Sequence, residues 1–171
     1  MSETSAFTPG YVAQQIDSLL GRPSQNFGND QEALRFALSI LDLTTLEGSD
    51  NTARVKALCT KAGSYAEKGL PNVAAVCVYP VFVRQCKELL KGSGIHTASV
   101  AGAFPAGQSP LSIKVAEVKF AVDEGADEID MVISRGKFLE GNLTEVFDEV
   151  SAIREACGQA HLKVILETGE L

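Results

Sequence analysis

At 171 residues, with 45% hydrophobic and 22% charged side chains, the chain has enough apolar material for one domain-sized core and too much to be disordered. A formal charge of −7 and a pI near 4.8 exclude general nucleic-acid binding, which needs a basic face to neutralise phosphate. The amino terminus lacks the basic start and apolar stretch of a signal peptide, and no run approaches about 18 apolar residues, so a cytoplasmic protein is expected.

Residues 1–38 read as an accessory helical extension. The pattern changes at SILDLTTLEG, residues 39–48, where an apolar run ends in turn chemistry. Ser49 or Asp50 is then placed to cap a helix carrying Val55, Leu58, Ala62 and Tyr65 on one face. VAAVCVYP, residues 73–80, reads as a short buried strand, followed by a helix with Pro80 near its first turn and Gly92 and Gly94 after its last. IHTASVAGAFPAGQSP, residues 95–110, runs from a third strand into a Gly/Pro-rich loop, after which Ser112 or the preceding turn opens a helix ended by Gly125. ADEIDMVIS, residues 126–134, is the fourth strand. Asn142 with Glu145 resembles a capping box before a helix bearing Val146, Val150, Ile153 and Cys157, and LKVILE is the fifth strand.

Five strands alternating with helices predict an α/β protein with a parallel sheet. A flat doubly wound sheet covers its central strands on both faces and gives no reason for several of them to carry charge. Asp42, Asp130 and Lys163 nevertheless lie within strands one, four and five. A barrel supplies the reason, because inward residues of several strands meet in one lumen. A (β/α)8 barrel typically needs about 250 residues, so residues 39–171 are expected to form an incomplete (β/α)8 TIM barrel of about five parallel strands.

Alternation in DEIDM puts Glu128 and Asp130 on one face. Asp127 and Glu128 read as solvated polarity at the start of the strand. Asp130, among Ile129, Met131, Val132 and Ile133, reads as a catalytic or proton-relay carboxylate or as half of a buried ion pair. Lys163, inside an apolar run, is open to three readings: an imine-forming nucleophile, a supporting cation, or a salt bridge at the barrel edge. Asp42 shares a face with Thr44 and can orient a substrate hydroxyl or bond its own turn. Cys77 reads as core.

The four cysteines show no metal-ligand spacing and read as reduced, buried thiols, and no metal is expected. The loop AGAFPAGQSP matches neither a P-loop nor the dinucleotide fingerprint, but its position suits a substrate mouth. Arg135 and Lys137 in RGKFLEGN are able to meet an anion or simply be solvated.

The segments LDLTTLEG (41–48), AAVCVYPVFV (74–83), FPAGQ (104–108), EGADEIDMVISRGKFLEGN (124–142) and LKVILETGEL (162–171) together resemble the deoxyribose-phosphate aldolases, in that family's order. Ala103 stands where many bacterial members have Asn. The resemblance implies a class I aldolase, a lyase of deoxyribonucleotide and carbohydrate degradation. Such an enzyme reversibly cleaves 2-deoxy-D-ribose 5-phosphate to D-glyceraldehyde 3-phosphate and acetaldehyde through a Schiff base, with no cofactor. By resemblance, Asp130 is the relay carboxylate and Lys163 a supporting catalytic lysine, while Asp42, Thr44 and Cys77 line the substrate pocket.

The family's imine-forming lysine lies on strand six, and its phosphate loops follow strands seven and eight. The 171-residue chain is therefore expected to be the N-terminal portion of such an enzyme and inactive alone. Two rivals are a non-catalytic half-barrel and a sugar-phosphate-binding module. The partners expected are a small phosphorylated sugar and further copies of the chain, joined through exposed barrel edges, with no nucleic acid and no membrane.

Overall fold

A computed structural model of the protein describes residues 9–20 and 27–171. The chain divides into two units, Met1–Arg35 and Phe36–Leu171. Helix α1 (Pro9–Leu20) and the start of helix α2 (Asp30–Ser39) belong to the first. Asn29 Oδ1 accepts from Glu32 N at 3.1 Å while Glu32 Oε2 accepts from Gly28 N at 2.8 Å, a reciprocal pair that starts α2. The remainder of the expected extension, residues 1–8 and 21–26, lies outside the described residues.

The second unit alternates strands and helices: β1 (Asp42–Thr44), α3 (Thr52–Glu67), β2 (Ala75–Val78), α4 (Val83–Leu89), β3 (His96–Ala101), α5 (Leu111–Asp123), β4 (Glu128–Val132), α6 (Arg135–Leu139), α7 (Leu143–Ala156) and β5 (His161–Ile165). All five strands are parallel and neighbour one another in chain order. The period of two sorts their side chains onto two faces. Val76, Val78, Ile129 and Met131 point one way and pack with Val55, Ala62, Val118 and Ile153 of the helices in a fully buried outer core. Ala75, Cys77, Ala98 and Val100 point the other way and form a second cluster with Leu46, Tyr79 and Phe104. That inner face is lined by small side chains, which leaves it room.

The sheet is curled. In a flat sheet β1 and β5 would stand four strand spacings apart, about 19 Å. Yet Lys163 Nζ on β5 donates to Asp42 Oδ2 on β1 at 2.6 Å. A lysine and an aspartate cannot bridge 19 Å, so strand curvature brings the two edges towards each other across the inner face.

Local chemistry departs from the sequence expectations at several ends. Asn51, rather than Ser49 or Asp50, caps α3, accepting from Ala53 N and Arg54 N at 3.1 Å each. Asp50 is engaged before that, by Thr45 Oγ1 at 2.8 Å and Glu47 N at 3.0 Å, which ties off the turn after β1. Asn142 caps nothing through its side chain, because Glu140 takes its amide and Glu145 pairs with Lys137. The stretch RGKFLEGN contains the short helix α6. At α5 the expected alternative of the preceding turn holds, since Pro110, with no side-chain cap, stands before its first residue.

The loop after β3 is pinned over β4. Gly107 has a φ of +70°, and a Cβ there would sit 2.6 Å from the backbone oxygen of Ile133. Gly69 has a similar φ of +69° but open space around it. Left-handed backbone costs an alanine about 1–2 kcal/mol. Gly69→Ala should therefore lose about 1 kcal/mol in urea denaturation, whereas Gly107→Ala, which must also displace backbone, should lose roughly 2 kcal/mol or more.

Candidate active site

Strand register sets the inner face. Asp42 pairs with Ala75, Thr44 with Cys77, Cys77 with Ala98, Ala98 with Glu128, Val100 with Asp130, and Asp130 with Lys163. The alternation that buries Ile129 and Met131 outside thus aims Glu128, Asp130 and Lys163 inside. The ammonium of Lys163 lies 2.6 Å from Asp42 Oδ2, 3.0 Å from Glu128 Oε2 and 3.2 Å from Asp130 Oδ1. His96 Nδ1 stands 2.7 Å from Glu128 Oε1 and holds that carboxylate from its far side.

Burial works against the charge of Lys163, but hydrogen bonds to Asp42 and Glu128 and the charge of Asp130 outweigh it and raise its pKa well above the usual lysine value. The amine is an ammonium at neutral pH. Burial likewise opposes ionisation of Glu128, yet its contacts with His96 and Lys163 leave its pKa below the usual glutamate value. Asp130 goes the other way: burial raises its pKa, with help from Asp42 and Glu128, and Lys163 only partly offsets this. Its Oδ1 is buried and accepts no hydrogen bond, since the 3.2 Å approach of Lys163 is an ion-pair contact poorly aligned for one. Its Oδ2 faces Cys77 Sγ at 3.8 Å. Burial and that neighbouring carboxylate push the Cys77 thiol up to about 12, so it stays protonated.

Of the residues singled out in the sequence, Asp42, Asp130, Lys163 and Cys77 meet at this cluster, and Asp42 bonds across the face rather than to its own turn. Thr44 is exposed two residues beyond Asp42 on the same strand face. Glu128 is the correction: read as solvated polarity, it is a member of the ion network. Alternation had placed it beside Asp130, and that signal was available. His96, whose register partner on β2 is Ala75, was not legible without the sheet. Asp127, by contrast, lies beside the strand start, pairs with Lys87 and accepts from Thr97 N at 2.9 Å. Arg135 and Lys137 are spoken for by Glu167 and Glu145.

A second buried ionic group was missed entirely. Lys114 of α5 and Glu149 of α7 form an ion pair, Lys114 Nζ also donates to Ser134 Oγ at 2.8 Å, and Ser134 N donates to Glu149 Oε2 at 3.2 Å. It fixes the turn after β4. A cleft of about 490 Å³ lined by Lys87, Leu90, Ile95, His96 and Asp127 opens at the starts of β3 and β4, beside the network rather than over it. Among the described residues no set of three His, Cys, Asp or Glu side chains is arranged to hold a metal ion. No helix among them is long and apolar enough to cross a membrane.

Residues 36–171 match the family described as DeoC/LacD family aldolase. The chain belongs to that family. It is 44% identical over 148 residues to the human deoxyribose-phosphate aldolase, a match covering 79% of this chain and 46% of the relative. A solved structure from Coccidioides immitis superposes with a TM-score of 0.73 at 34% identity, covering 80% of this chain and 51% of that one. The tetrameric deoxyribose phosphate aldolase of Aeropyrum pernix gives a TM-score of 0.69 at 26% identity, covering 96% of this chain and 62% of that one. The chain spans about half the length of the curated relatives it matches. As an aldolase-family chain with neighbours of this kind, it carries the five parallel strands of a TIM-barrel sheet.

The electrostatics of this DeoC/LacD site are measurable. On acidification Asp130 should take up its proton at a higher pH than an ordinary aspartate and Glu128 at a lower pH than an ordinary glutamate, and carboxyl NMR titration reads both. Lys163→Met should raise both midpoints. Because Lys163 is partly exposed, its loss should cost only about 1–3 kcal/mol at pH 7. That penalty should shrink near pH 4 as the carboxylates protonate, the lowered pKa of Glu128 making its stabilising contact one that fades with falling pH.

Proposed function

We propose that the chain supplies the Asp130 and Lys163 side of a deoxyribose-phosphate aldolase site, for reversible cleavage of 2-deoxy-D-ribose 5-phosphate to D-glyceraldehyde 3-phosphate and acetaldehyde. The observation that carries this reading is the single ammonium held by three carboxylates on the inner face of a curled parallel sheet. Deoxyribose-phosphate aldolases among the relatives support the substrate.

In class I chemistry a neutral lysine amine attacks the sugar aldehyde, water leaves, and the protonated imine draws electrons as the carbon–carbon bond breaks. Lys163 is the only lysine in the five strands and is held as an ammonium, unsuited to that attack. Its role is electrostatic: it orients the carboxylates and keeps Asp42 and Glu128 paired. The imine-forming amine is a second lysine, which the family order puts on a sixth strand, so the 171 residues alone form no productive imine.

Asp130 is the proton carrier. Its raised pKa and unfilled Oδ1 suit a group that accepts the hydroxyl proton released with the new aldehyde and passes a proton to the enamine carbon. Cys77, a protonated thiol beside it, and Thr44 line the pocket. The reaction places the protein in deoxyribonucleotide catabolism. The four free, buried thiols fit a reducing, cytoplasmic compartment. Among the described strands β1 and β5 each have one neighbour, and these unpaired edges are the surfaces through which copies of the chain associate.

Borohydride reduction of the chain with deoxyribose 5-phosphate, read by intact and peptide mass, should leave Lys163 unmodified at pH 7. Stoichiometric trapping there with aldol cleavage would overturn the assignment. In a complete barrel containing this chain, Asp130→Asn should lower turnover by about 10² to 10⁴ while the melting temperature stays within a few degrees. Near-normal turnover would make Asp130 structural. Sedimentation at micromolar concentration should find self-association, and a stable monomer would remove the edge-pairing reading.

A further inference from the structure

On the opposite side of the sheet, in the outer core, two cysteine sulfurs stand in contact. Cys59 of α3 and Cys86 of α4 have their Sγ atoms 3.7 Å apart. Both lie among the apolar side chains that weld these helices together, Val55, Ala62 and Val83 among them. Cys86 is sealed, whereas Cys59 is 4% exposed. The exposure has a cause. A cleft of about 250 Å³ between the two helices is lined by Cys59, Thr60, Gly63, Ser64, Glu67 and Leu89. Gly63 helps to keep it open, since no heavy atom lies within 4 Å of the position a Cβ would take. Cys86 lies behind Cys59, off the lining.

We propose that Cys59 and Cys86 are a peroxide-sensing dithiol, in which the cleft admits hydrogen peroxide to Cys59 and Cys86 resolves the product into a disulfide tying α3 to α4. The cleft selects the oxidant. Hydrogen peroxide is small and neutral, while glutathione disulfide is bulky and anionic, and the Glu67 carboxyl stands at the lining. The Cys86 hydrogen bond lowers the pKa of the Cys59 thiol, against the opposing effect of burial, so the sulfur that meets the cleft is also the easier one to ionise.

The chemistry closes in two steps. The Cys59 thiolate attacks one peroxide oxygen, an S–O bond forms as the O–O bond breaks, and hydroxide leaves and takes up a proton to become water. The Cys86 sulfur then attacks Cys59 Sγ, the S–O bond breaks, and a second water leaves with the Cys86 thiol proton. Peroxide gains two electrons, the two thiols lose two, and two waters form. Bonding distance is about 2.05 Å, so the sulfurs must close by about 1.7 Å, a movement of the order that side-chain rotation and a small helix shift supply. Neither other cysteine has such a partner among its described contacts: Cys77 faces Asp130, and Cys157 is fully buried in the outer core.

The test is peroxide treatment of the whole chain followed by alkylation, intact mass and non-reducing peptide mapping. The expected result is an intact mass lacking two alkyl groups relative to the untreated chain, a single cross-linked peptide joining Cys59 and Cys86 that is about 2 Da lighter than its two free-thiol peptides together, and full reversal by a thiol reductant. The closed loop should raise the melting temperature by on the order of 5–10 °C. Glutathione disulfide at equal concentration should react far more slowly. In Cys86→Ser the reaction should stop at a Cys59 sulfenic acid that dimedone traps, and in Cys59→Ser no adduct should appear on Cys86. The wild-type peptide map decides even if neither variant folds. Recovery of Cys59 and Cys86 as free thiols while Cys77 or Cys157 is oxidised would overturn the proposal, as would first trapping of the sulfenic acid on Cys86.

Discussion

The position of one ammonium organises the inner side of this sheet. Lys163 is fixed by carboxylates from β1 and β4, and β1 is the far edge of the sheet from the strand that carries the lysine. The contact with Asp42 exists only because the strands curl, and a flat arrangement would leave Lys163 with the carboxylates of the adjacent β4 alone and Asp42 without its ammonium. Curvature and charge pairing therefore depend on each other. Twisted parallel strands close the distance, and the ion network makes the closed distance favourable by satisfying groups that would otherwise be costly to bury.

The neighbouring side chains make the arrangement possible. Ala75, Cys77 and Ala98 present little volume on the inner face, so long side chains from β4 and β5 extend over them. Larger residues there would fill the space that the lysine occupies. Behind the sheet, the buried Lys114–Glu149 pair works on the scaffold. It grips Ser134, two residues past β4, through both the side chain and the backbone N–H. Buried ion pairs are weak sources of net stability, but they hold geometry. Here the element held is the turn that leads directly from the strand of Asp130.

The architecture was legible because its signals are redundant. Strand-like runs, helix faces and turn residues repeat in alternation, and Asp42, Asp130 and Lys163 break apolar strands in a way that only a shared lumen explains. What failed was local or relational. Asn51 and Asp50 both suit a helix start, and only the hydrogen bonds of the preceding turn decide between them. Glu128 sat on the right face but was weighed by the average behaviour of glutamates at strand ends, which ignores what lies opposite. Lys114 is fully buried in a helix whose sequence shows it one turn from polar positions, so its burial follows from α7 and could not be read from α5 alone. The contact between Cys59 and Cys86 likewise spans two helices, 27 residues apart in sequence.

The charge balance of the site bears on the chemistry proposed for it. Three carboxylates face one ammonium, so when all are ionised the cluster carries surplus negative charge, which adds to burial in raising the pKa of Asp130. Such a surface favours a further cation at its open side. In the proposed reaction a protonated imine is one, and a preorganised anionic face favours its formation. The same surplus repels a phosphate group. For the phosphorylated sugar proposed as substrate, this charge favours a pose with the aldehyde end towards Asp130 and the phosphate away from the Lys163 network.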